Sequence, residues 1–346
     1  MTSTLPADAR TRALGDVPGE FLYAKLRGRR SRLLEGERLR DLAREPSLRD
    51  LALRLYPRER IEGRAELERV VLSRCVAELD RLGRYVSGAA GEFFLRLLER
   101  YPVENLKVLL RLHGSEQEDA SPHLIDLPPD LELPVHRLMS APGVEEFIDG
   151  VPLPHVQRCA LDAMAIYTES GNRAYLEMAF DQGYWQAVWD AVRRLSAADA
   201  RRCVGPIRAE FDAMRLLATL RAAAIYGLPW DEWAPLLPAG PGHLSKAVLR
   251  EVHARPDLED VADRLGSLGR TPDGGVPRDV GELEEVLWHR AVHAADRQFY
   301  ASSSAVALLV SYFYLKRDEM RHLLGLAQML RYGRTPEEVM DYLGLG

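Results

Sequence analysis

Apolar side chains recur at steps of three and four residues along most of this chain. The first clear stretch, residues 67–82, contains Leu67, Val71 and Cys75. This spacing places the apolar side chains on one face of an amphipathic helix. The same period returns in three later stretches, at residues 93–110, 214–220 and 308–326. Because strand-like alternation is hard to find, the sequence predicts an all-α fold.

A seventeen-residue motif occurs twice, 210 positions apart, and a fainter third copy lies between the two. The copies read LRDLAREPSLRDLALRL from Leu39, VHRLMSAPGVEEFIDGV from Val135 and LREVHARPDLEDVADRL from Leu249. Their shared prolines are Pro46, Pro142 and Pro256. Proline ends one helix and is tolerated in the first turn of the next. We therefore expect each proline to lie in a turn between two short helices.

Two further landmarks recur. The second is a leucine followed by a glutamate, in Leu67-Glu68, Leu176-Glu177 and Leu283-Glu284. The third is an acid with a base three residues later, in the pairs Glu104 with Lys107, Asp212 with Arg215, and Asp318 with Arg321. Residues at i and i+3 share a helix face, where an exposed ion pair contributes only a few tenths of a kcal/mol. Recurrence in three copies favours a packing or partner-binding role.

The order of the landmarks predicts three pseudo-repeated helical units, over residues 1–115, 116–228 and 229–346. Each unit should contain a short helix, a proline turn, a second short helix and two longer helices. Fixed spacing of this kind is typical of proteins built by repeating one supersecondary unit.

Composition narrows the class of protein. The chain has 346 residues, is 47% hydrophobic and 28% charged, and carries a net charge of −6, which gives no general attraction to nucleic acid. No apolar run approaches the roughly 18 to 20 residues of a membrane span. The N-terminus has no apolar core, so we expect no secretory signal. Three widely spaced cysteines without a CxxC motif fit a reducing compartment.

Recognisable sets of catalytic residues are mostly missing from the sequence. The chain contains no GxxxxGK[ST] or GxGxxG string, so nucleotide binding is not expected. His289 and His293, with Glu285 one turn earlier, could present three metal ligands, but a helix that faces solvent or a partner is the favoured interpretation. The serines at residues 302–304 are more typical of a helix cap than of a nucleophile. We therefore assign no catalytic, cofactor or metal-binding residue.

A basic string near the N-terminus reads YAKLRGRRSRLL from Tyr23. It holds five basic side chains without an acid, between apolar flanks. The pattern predicts a basic amphipathic helix, which could also dock on an acidic partner or near a membrane. Its candidate interface residues are Tyr23, Lys25, Arg27, Arg29, Arg30 and Arg32.

Three strings together resemble a known family. They are FLYAKLRGRRSRLL near the start, ENLKVLLR from Glu104 and YFYLKRDEMRHLLGLAQMLRYGRTPEEVMDYL at the end. They are similar to the C subunits of the archaeal and bacterial V/A-type rotary ATPases, whose eukaryotic homologues are the d subunits of vacuolar ATPases. The resemblance covers essentially the whole chain, because that family is also a threefold pseudo-repeat of helical units.

The resemblance implies a non-catalytic rotor subunit of the central stalk. It implies a funnel of three units around an approximate threefold, on the cytoplasmic face of the membrane ring of proteolipid subunits, the c-ring. The shaft, subunits D and F, would seat in the funnel, so that torque for ATP synthesis or ion transport passes through this piece. The protein would be peripheral to the membrane, with contacts through the basic string and the short proline-turn helices.

Two other interpretations stay open at the level of sequence. One is a soluble helical-repeat adaptor unrelated to rotary motors, which should bind a soluble partner. The other is an all-helical enzyme, which a deep apolar cavity with converging acidic side chains would favour. A wide pit shared by three units would count against an enzyme.

Overall fold

The computed structural model of the protein describes residues 19–115 and 120–342. Among these residues every regular element is a helix and no strand forms, which confirms the all-α prediction. The segment that bears on a secretory signal lies outside the described residues. So do residues 116–119, within the segment that joins the first two units.

We use the word unit for each of the three predicted residue ranges, and the first range contributes six of the described helices. They are α1 (Gly19–Arg30), α2 (Glu37–Ala43), α3 (Leu48–Leu55), α4 (Arg64–Gly83), α5 (Gly88–Leu98) and α6 (Arg100–Leu112). The expected last long helix is divided between α5 and α6. The division follows from Pro102, which has no N–H to donate to the carbonyl of Leu98 and whose ring clashes with that carbonyl.

The second unit contains one helix more than the pattern predicts. Its α-helices are α7 (Val135–Met139), α8 (Val144–Asp149), α9 (Pro154–Ser170), α10 (Ala174–Arg194) and α11 (Ala197–Ala224). Short 3₁₀ turns precede them at Ser121–His123 and Pro129–Leu131. The additional helix, α9, ends at Gly171, whose φ of 66° is left-handed and suits a residue without a Cβ.

The third unit keeps the predicted short pair and two long helices in order, with one further short helix before them and one after. Its helices are α12 (Trp230–Trp233), α13 (Lys246–Ala254), α14 (Leu258–Leu265), α15 (Val280–Ala301), α16 (Ala305–Arg331) and α17 (Pro336–Tyr342). A 3₁₀ turn at Gly266–Gly269 follows the short pair α13 and α14.

Each repeated proline lies in a turn between two short helices. Pro46 lies between α2 and α3, Pro142 between α7 and α8, and Pro256 between α13 and α14. The residue after the proline then caps the second helix in two of the copies. Ser47 and Asp257 accept hydrogen bonds from backbone N–H groups of the first turn. Such caps satisfy donors that have no partner within the helix.

Long helices of successive units pack on one another in a cyclic order. Helix α6 packs on α10, α11 packs on α15, and α16 packs on α4. The short helices follow the same order, because α7 packs on α6, α13 on α11 and α3 on α16. Each predicted unit therefore covers the last long helix of the one before it, and α16, the last long helix of the third, is covered by the first.

One continuous hydrophobic core extends through all three units, from Leu22 to Leu315. At its centre the ring of Phe211 meets Trp185 and Trp189 edge to face, with centroids 5.1 and 5.3 Å apart. Such aromatic pairs contribute about 0.5–1.5 kcal/mol beyond the area they bury. The three cysteines, Cys75, Cys159 and Cys203, are free thiols buried in the protein.

Candidate functional site

A pit opens among the long helices, with a volume of about 460 Å³. Its walls come from α6 of the first unit, α10 and α11 of the second, and α15 and α16 of the third. The lining carries charged side chains as well as an apolar surface that includes Met178, Leu217, Leu287 and Trp288. All three units thus contribute to one concave site.

Glu210 of α11 forms a deep polar junction in the pit. Its Oε1 accepts from Arg100 Nη1 at 2.8 Å and from Arg317 Nη2 at 2.9 Å. The hydroxyl of Tyr314 donates to Oε2 at 2.7 Å. Arg100 belongs to α6, whereas Arg317 and Tyr314 belong to α16. One carboxylate therefore connects all three units.

The charge of Glu210 is fixed by its partners. Burial alone raises the pKa of this carboxyl, but the guanidinium groups of Arg317 and Arg100 outweigh burial and lower the pKa to about 2. The side chain is only 6% exposed, so solvent screens these interactions weakly. Glu210 therefore stays ionised at neutral pH and has no proton to donate as a general acid.

A second ion-pair cluster joins α6 to α10. Lys107 Nζ lies 2.6 Å from Asp181 Oδ1 and 3.3 Å from Glu104 Oε1. Burial lowers the pKa of Lys107, but the two carboxylates outweigh it and raise the pKa overall. The lysine therefore stays charged and holds the first unit against the second.

Three arginines stand at the more exposed part of the pit, one from each unit. Arg111 Nε of α6 donates to Glu177 Oε1 at 2.7 Å, and Arg221 of α11 lies 2.6 Å from Glu284. Arg321 of α16 pairs with a neighbouring glutamate of α15 and lies 5.1 Å from the centroid of the Trp288 ring. We call Arg111, Arg221 and Arg321 the rim arginines.

The repeated acid-and-base pairs have different roles in the three copies. Glu104 and Lys107 pair with each other and line the pit. Asp318 instead accepts from Trp288 Nε1 at 2.8 Å, while Arg321 is a rim arginine.

The pair in the second unit fastens a loop. Within the described part of the chain Asp212 and Arg215 do not pair with each other. Asp212 accepts from the backbone N–H groups of His243 and Leu244, and Arg215 Nη1 donates to the carbonyl of Leu244 at 2.8 Å. A Cβ at Gly242 would lie 2.2 Å from Asp212 Oδ1, so the close approach requires glycine.

Arg100, Glu210 and Arg317 were missed from the sequence, although a signal for one of them exists. Glu210 lies in a stripe of buried positions on α11, between Ile207 and Ala213. A charge on such a stripe is costly unless a buried partner neutralises it. The sequence alone does not show which distant arginines provide that partner.

Most of the basic N-terminal string contacts the protein itself. Lys25 Nζ donates to the hydroxyl of Tyr85 at 2.9 Å and lies over its ring. Arg27 Nη2 donates to the hydroxyl of Tyr23 at 2.9 Å and lies 4.9 Å from the ring centroid of Phe299. These contacts fix α1 against α15 and the end of α4.

The remaining members of the string differ in exposure. Arg29 Nη1 lies 3.1 Å from Glu78 of α4, and Arg30 Nη2 lies 2.9 Å from Asp296 of α15. Arg32 is exposed and lines a smaller cavity between α1, α4 and α16. As a partner surface the string stays a prediction.

No metal-binding group of three or more His, Cys, Asp or Glu side chains occurs among the residues that the structure describes. Glu285 of the suspected triad pairs with Arg321. Within residues 19–115 and 120–342, no helix is both long enough and apolar enough to cross a bilayer.

Comparison with known proteins covers nearly the whole chain. The family model described as "ATP synthase (C/AC39) subunit" matches residues 22–342. An uncharacterized protein of Treponema pallidum (strain Nichols) is 26% identical over 348 residues, covering 95% of this chain and 97% of that protein. The C subunit of an A-type ATP synthase of Pyrococcus horikoshii is 24% identical over 357 residues, covering 95% and 90%. Its counterpart in Pyrococcus abyssi is 32% identical over 139 residues, covering 37% and 36%.

Proposed function

The chain belongs to the ATP synthase (C/AC39) subunit family, and on that basis we propose that it is a non-catalytic central-stalk subunit of a V/A-type ATPase or ATP synthase. Its relative in Pyrococcus horikoshii is named as the C subunit of an A-type ATP synthase. In this role the chain couples a rotating shaft to the membrane ring, for ATP synthesis or ion transport, and performs no chemistry itself.

We place the three units, residues 1–115, 116–228 and 229–346, around an approximate threefold in a funnel-like arrangement. The cyclic packing order supports this proposal, because each last long helix meets a long helix of the next unit and α16 returns to α4. The three proline turns then occupy equivalent places. A closed ring of packed helices is stiff, since packed protein interiors have low compressibility.

The pit is the proposed socket for the shaft, subunits D and F. The observation that carries this proposal is the construction of one concave site from the long helices of all three units. Torque applied to its walls would be distributed through Glu210, which connects α6, α11 and α16. Salt bridges around the mouth give the socket polar contacts whose strength depends on ionic strength.

We propose that the opposite end contacts the proteolipid c-ring on the cytoplasmic face of the membrane. Helix α15 runs away from the pit, and Tyr300 lies sixteen residues after Glu284, or about 24 Å at 1.5 Å per residue. Tyr300 and Phe21 are exposed there by 62% and 49%. They lie beside the basic string of α1, because Arg27 is 5.9 Å from the ring centroid of Tyr300 and Lys25 is 5.4 Å from that of Phe21, and together they form a surface suited to a partner.

The test separates the socket from general surface charge. The rim arginines are replaced together by alanine, and a control variant carries Arg44→Ala, Arg193→Ala and Arg334→Ala, three arginines that also form surface ion pairs. We expect the rim variant to lose binding to purified subunits D and F, with the control unchanged. Circular dichroism verifies that both variants are folded.

The broader proposal is tested in native membranes. The protein should co-purify with the c-ring and shaft in a detergent extract. Its removal should uncouple ion pumping from ATP hydrolysis while the hydrolytic headpiece stays active. A detergent extract in which the protein associates with neither the c-ring nor the shaft would refute this function.

The other two interpretations lose support. An adaptor unrelated to rotary motors is difficult to reconcile with a family match over residues 22–342. The pit itself argues against an enzyme, because its walls come from three units. The carboxylates of Glu104, Asp181 and Glu210 are also all paired with basic side chains.

A further inference from the structure

A second cavity, of about 840 Å³, lies on the outer side of α15 and apart from the pit. One wall is the loop that follows α14, from Gly266 to Gly274, and the other wall is α15 itself. The loop is held by its own hydrogen bonds, since Thr271 N donates to Gly275 O at 3.1 Å and Gly274 N to Thr271 O at 2.9 Å. Arg290 of α15 also donates to the carbonyl of Ser267. The cavity therefore has two fixed walls.

Every charged or ionisable side chain among the described residues that line this cavity is basic. These residues are Arg270, Arg290, Arg297, His289 and His293. The chain as a whole carries a net charge of −6, so the basic lining of this cavity is opposite in sign to the charge of the whole protein. A cavity lined by one sign of charge concentrates ions of the opposite sign.

The acids closest to the cavity are already engaged. Asp263 of α14 accepts from Arg270 Nη2 at 2.5 Å. Asp273, at the tip of the loop, accepts from Thr271 Oγ1 and from the backbone N–H of Gly275. On α15, Asp296 pairs with Arg30 of α1. His289 and His293 also line a smaller cavity on the other side, with Glu35, Asp318 and Glu319. Each of these acids has a partner of its own: Arg30, Trp288 and Lys316, respectively.

Three of the basic residues have no polar partner among the residues that the structure describes. His289, His293 and Arg297 follow each other at steps of four along α15, so they form one exposed stripe that lines the cavity. No polar group of the described residues occupies these side chains, so their N–H groups are available to an anion bound between the stripe and the loop.

We propose that this cavity binds a phosphate-bearing anion. Arginine offers planar paired N–H donors that match phosphate oxygens, and histidine N–H groups add further donors. Ser267 lies in the same wall, whereas the hydroxyl of Thr271 already donates to Asp273. Val286 and Pro272 give the cavity an apolar part for the remainder of the ligand. The volume falls in the range of small-molecule sites, about 300–1,000 Å³.

This site does not depend on the proposed rotor function, because it lies outside the pit and involves none of the pit residues. The anion could be a free phosphate compound or a phospholipid headgroup, since both present the same oxygens to arginine. An acidic protein segment is the less suitable occupant because the loop closes the groove at one side.

Isothermal titration calorimetry with sodium pyrophosphate and with ATP, at low ionic strength and without divalent cations, tests the site on the full chain. Arg297→Gln should weaken binding at least about tenfold, because charge-assisted hydrogen bonds to phosphate are strong. Arg278→Gln is the matched control. This exposed arginine pairs with Glu282 just before the same stretch of α15 and does not line the cavity. The Arg278→Gln variant should bind pyrophosphate and ATP as tightly as the unmodified protein does.

Vesicles distinguish the two sources. The protein is sedimented with phosphatidylcholine vesicles, either pure or containing phosphatidic acid. If it sediments only with the vesicles that contain phosphatidic acid, and free pyrophosphate binds poorly, the natural ligand is a phospholipid headgroup. Equal losses in the Arg297 and Arg278 variants would overturn the proposal. So would the absence of binding to pyrophosphate, ATP and phosphatidic acid, or binding to polyglutamate alone. Both substitutions are on exposed side chains, and circular dichroism confirms folding before titration.

Discussion

Replacing Glu210 by glutamine removes one negative charge from the centre of the protein while keeping the shape of the side chain. The guanidinium groups of Arg100 and Arg317 then lie in the interior without the carboxylate that neutralises them. We expect a large loss of stability, because removing one partner of a buried ion pair leaves an uncompensated charge.

The size of the loss can be estimated from the proton affinity of Glu210. Its pKa is about 2, against the ordinary 4.5 of a glutamate. One pKa unit corresponds to about 1.4 kcal/mol, so the fold stabilises the charged form by about 3 kcal/mol. This agrees with the roughly 3–5 kcal/mol that is typical when a buried pair loses one member.

The difference between the folded and unfolded pKa of Glu210 also determines how stability depends on pH. The pKa in the folded state lies below that in the unfolded state, so the stabilisation is complete above the ordinary value of 4.5. It is lost as the pH falls from there through about 2. In the glutamine variant this contribution to the acid dependence should be missing.

Urea unfolding followed by circular dichroism, at neutral pH and in steps toward acid, measures both effects. Glu92→Gln is the control, since this glutamate pairs with Arg194 at 2.6 Å but is 41% exposed. The control should lose less than about 1 kcal/mol. If Glu210→Gln loses no more than the control and keeps the acid slope of the unmodified protein, the account of the junction is wrong.

Two other substitutions test particular contacts. Tyr314→Phe removes the hydroxyl donor to Glu210 and should cost about 1.5–3 kcal/mol, the usual range for a hydrogen bond to a charged group; a double-mutant cycle with Glu210→Gln should show coupling. Gly242→Ala brings a Cβ against Asp212 and should lower the thermal midpoint, at a cost of about 1–3 kcal/mol. Gly28→Ala, in open space on α1, should instead stabilise by about 0.5–1 kcal/mol, and equal effects of the two alanines would contradict the steric argument.

The local spacing of apolar residues was sufficient to predict the helices but not the breaks between them. Residues 67–82 and 308–326 form parts of α4 and α16. Apolar residues spaced three and four apart can share one buried face only if the segment is a helix. The division between α5 and α6 was not expected, although Pro102 provides the physical reason. The presence of α9 had no sequence landmark, since nothing in the other units corresponds to it.

The candidate site was less accessible to sequence analysis because its contacts are long-range. Glu104 and Lys107 do pair as their spacing suggests, whereas Asp212 instead binds backbone groups of the loop at residues 243–244. A helical spacing identifies which side chains share a face. It does not identify the partner that tertiary packing brings to that face, as Glu210 and its two arginines illustrate.

The return of α16 to α4 has a consequence for biosynthesis. The face of α4 that carries Val71 and Cys75 is covered by α16, which includes Leu323 and Leu326. A ribosome releases α4 more than 200 residues before it has made α16, so the nascent chain exposes this apolar face during that interval. The contact between α16 and α4 thus also delays completion of the first unit until α16 has been made, an interval in which a chaperone or a neighbouring chain has access to α4.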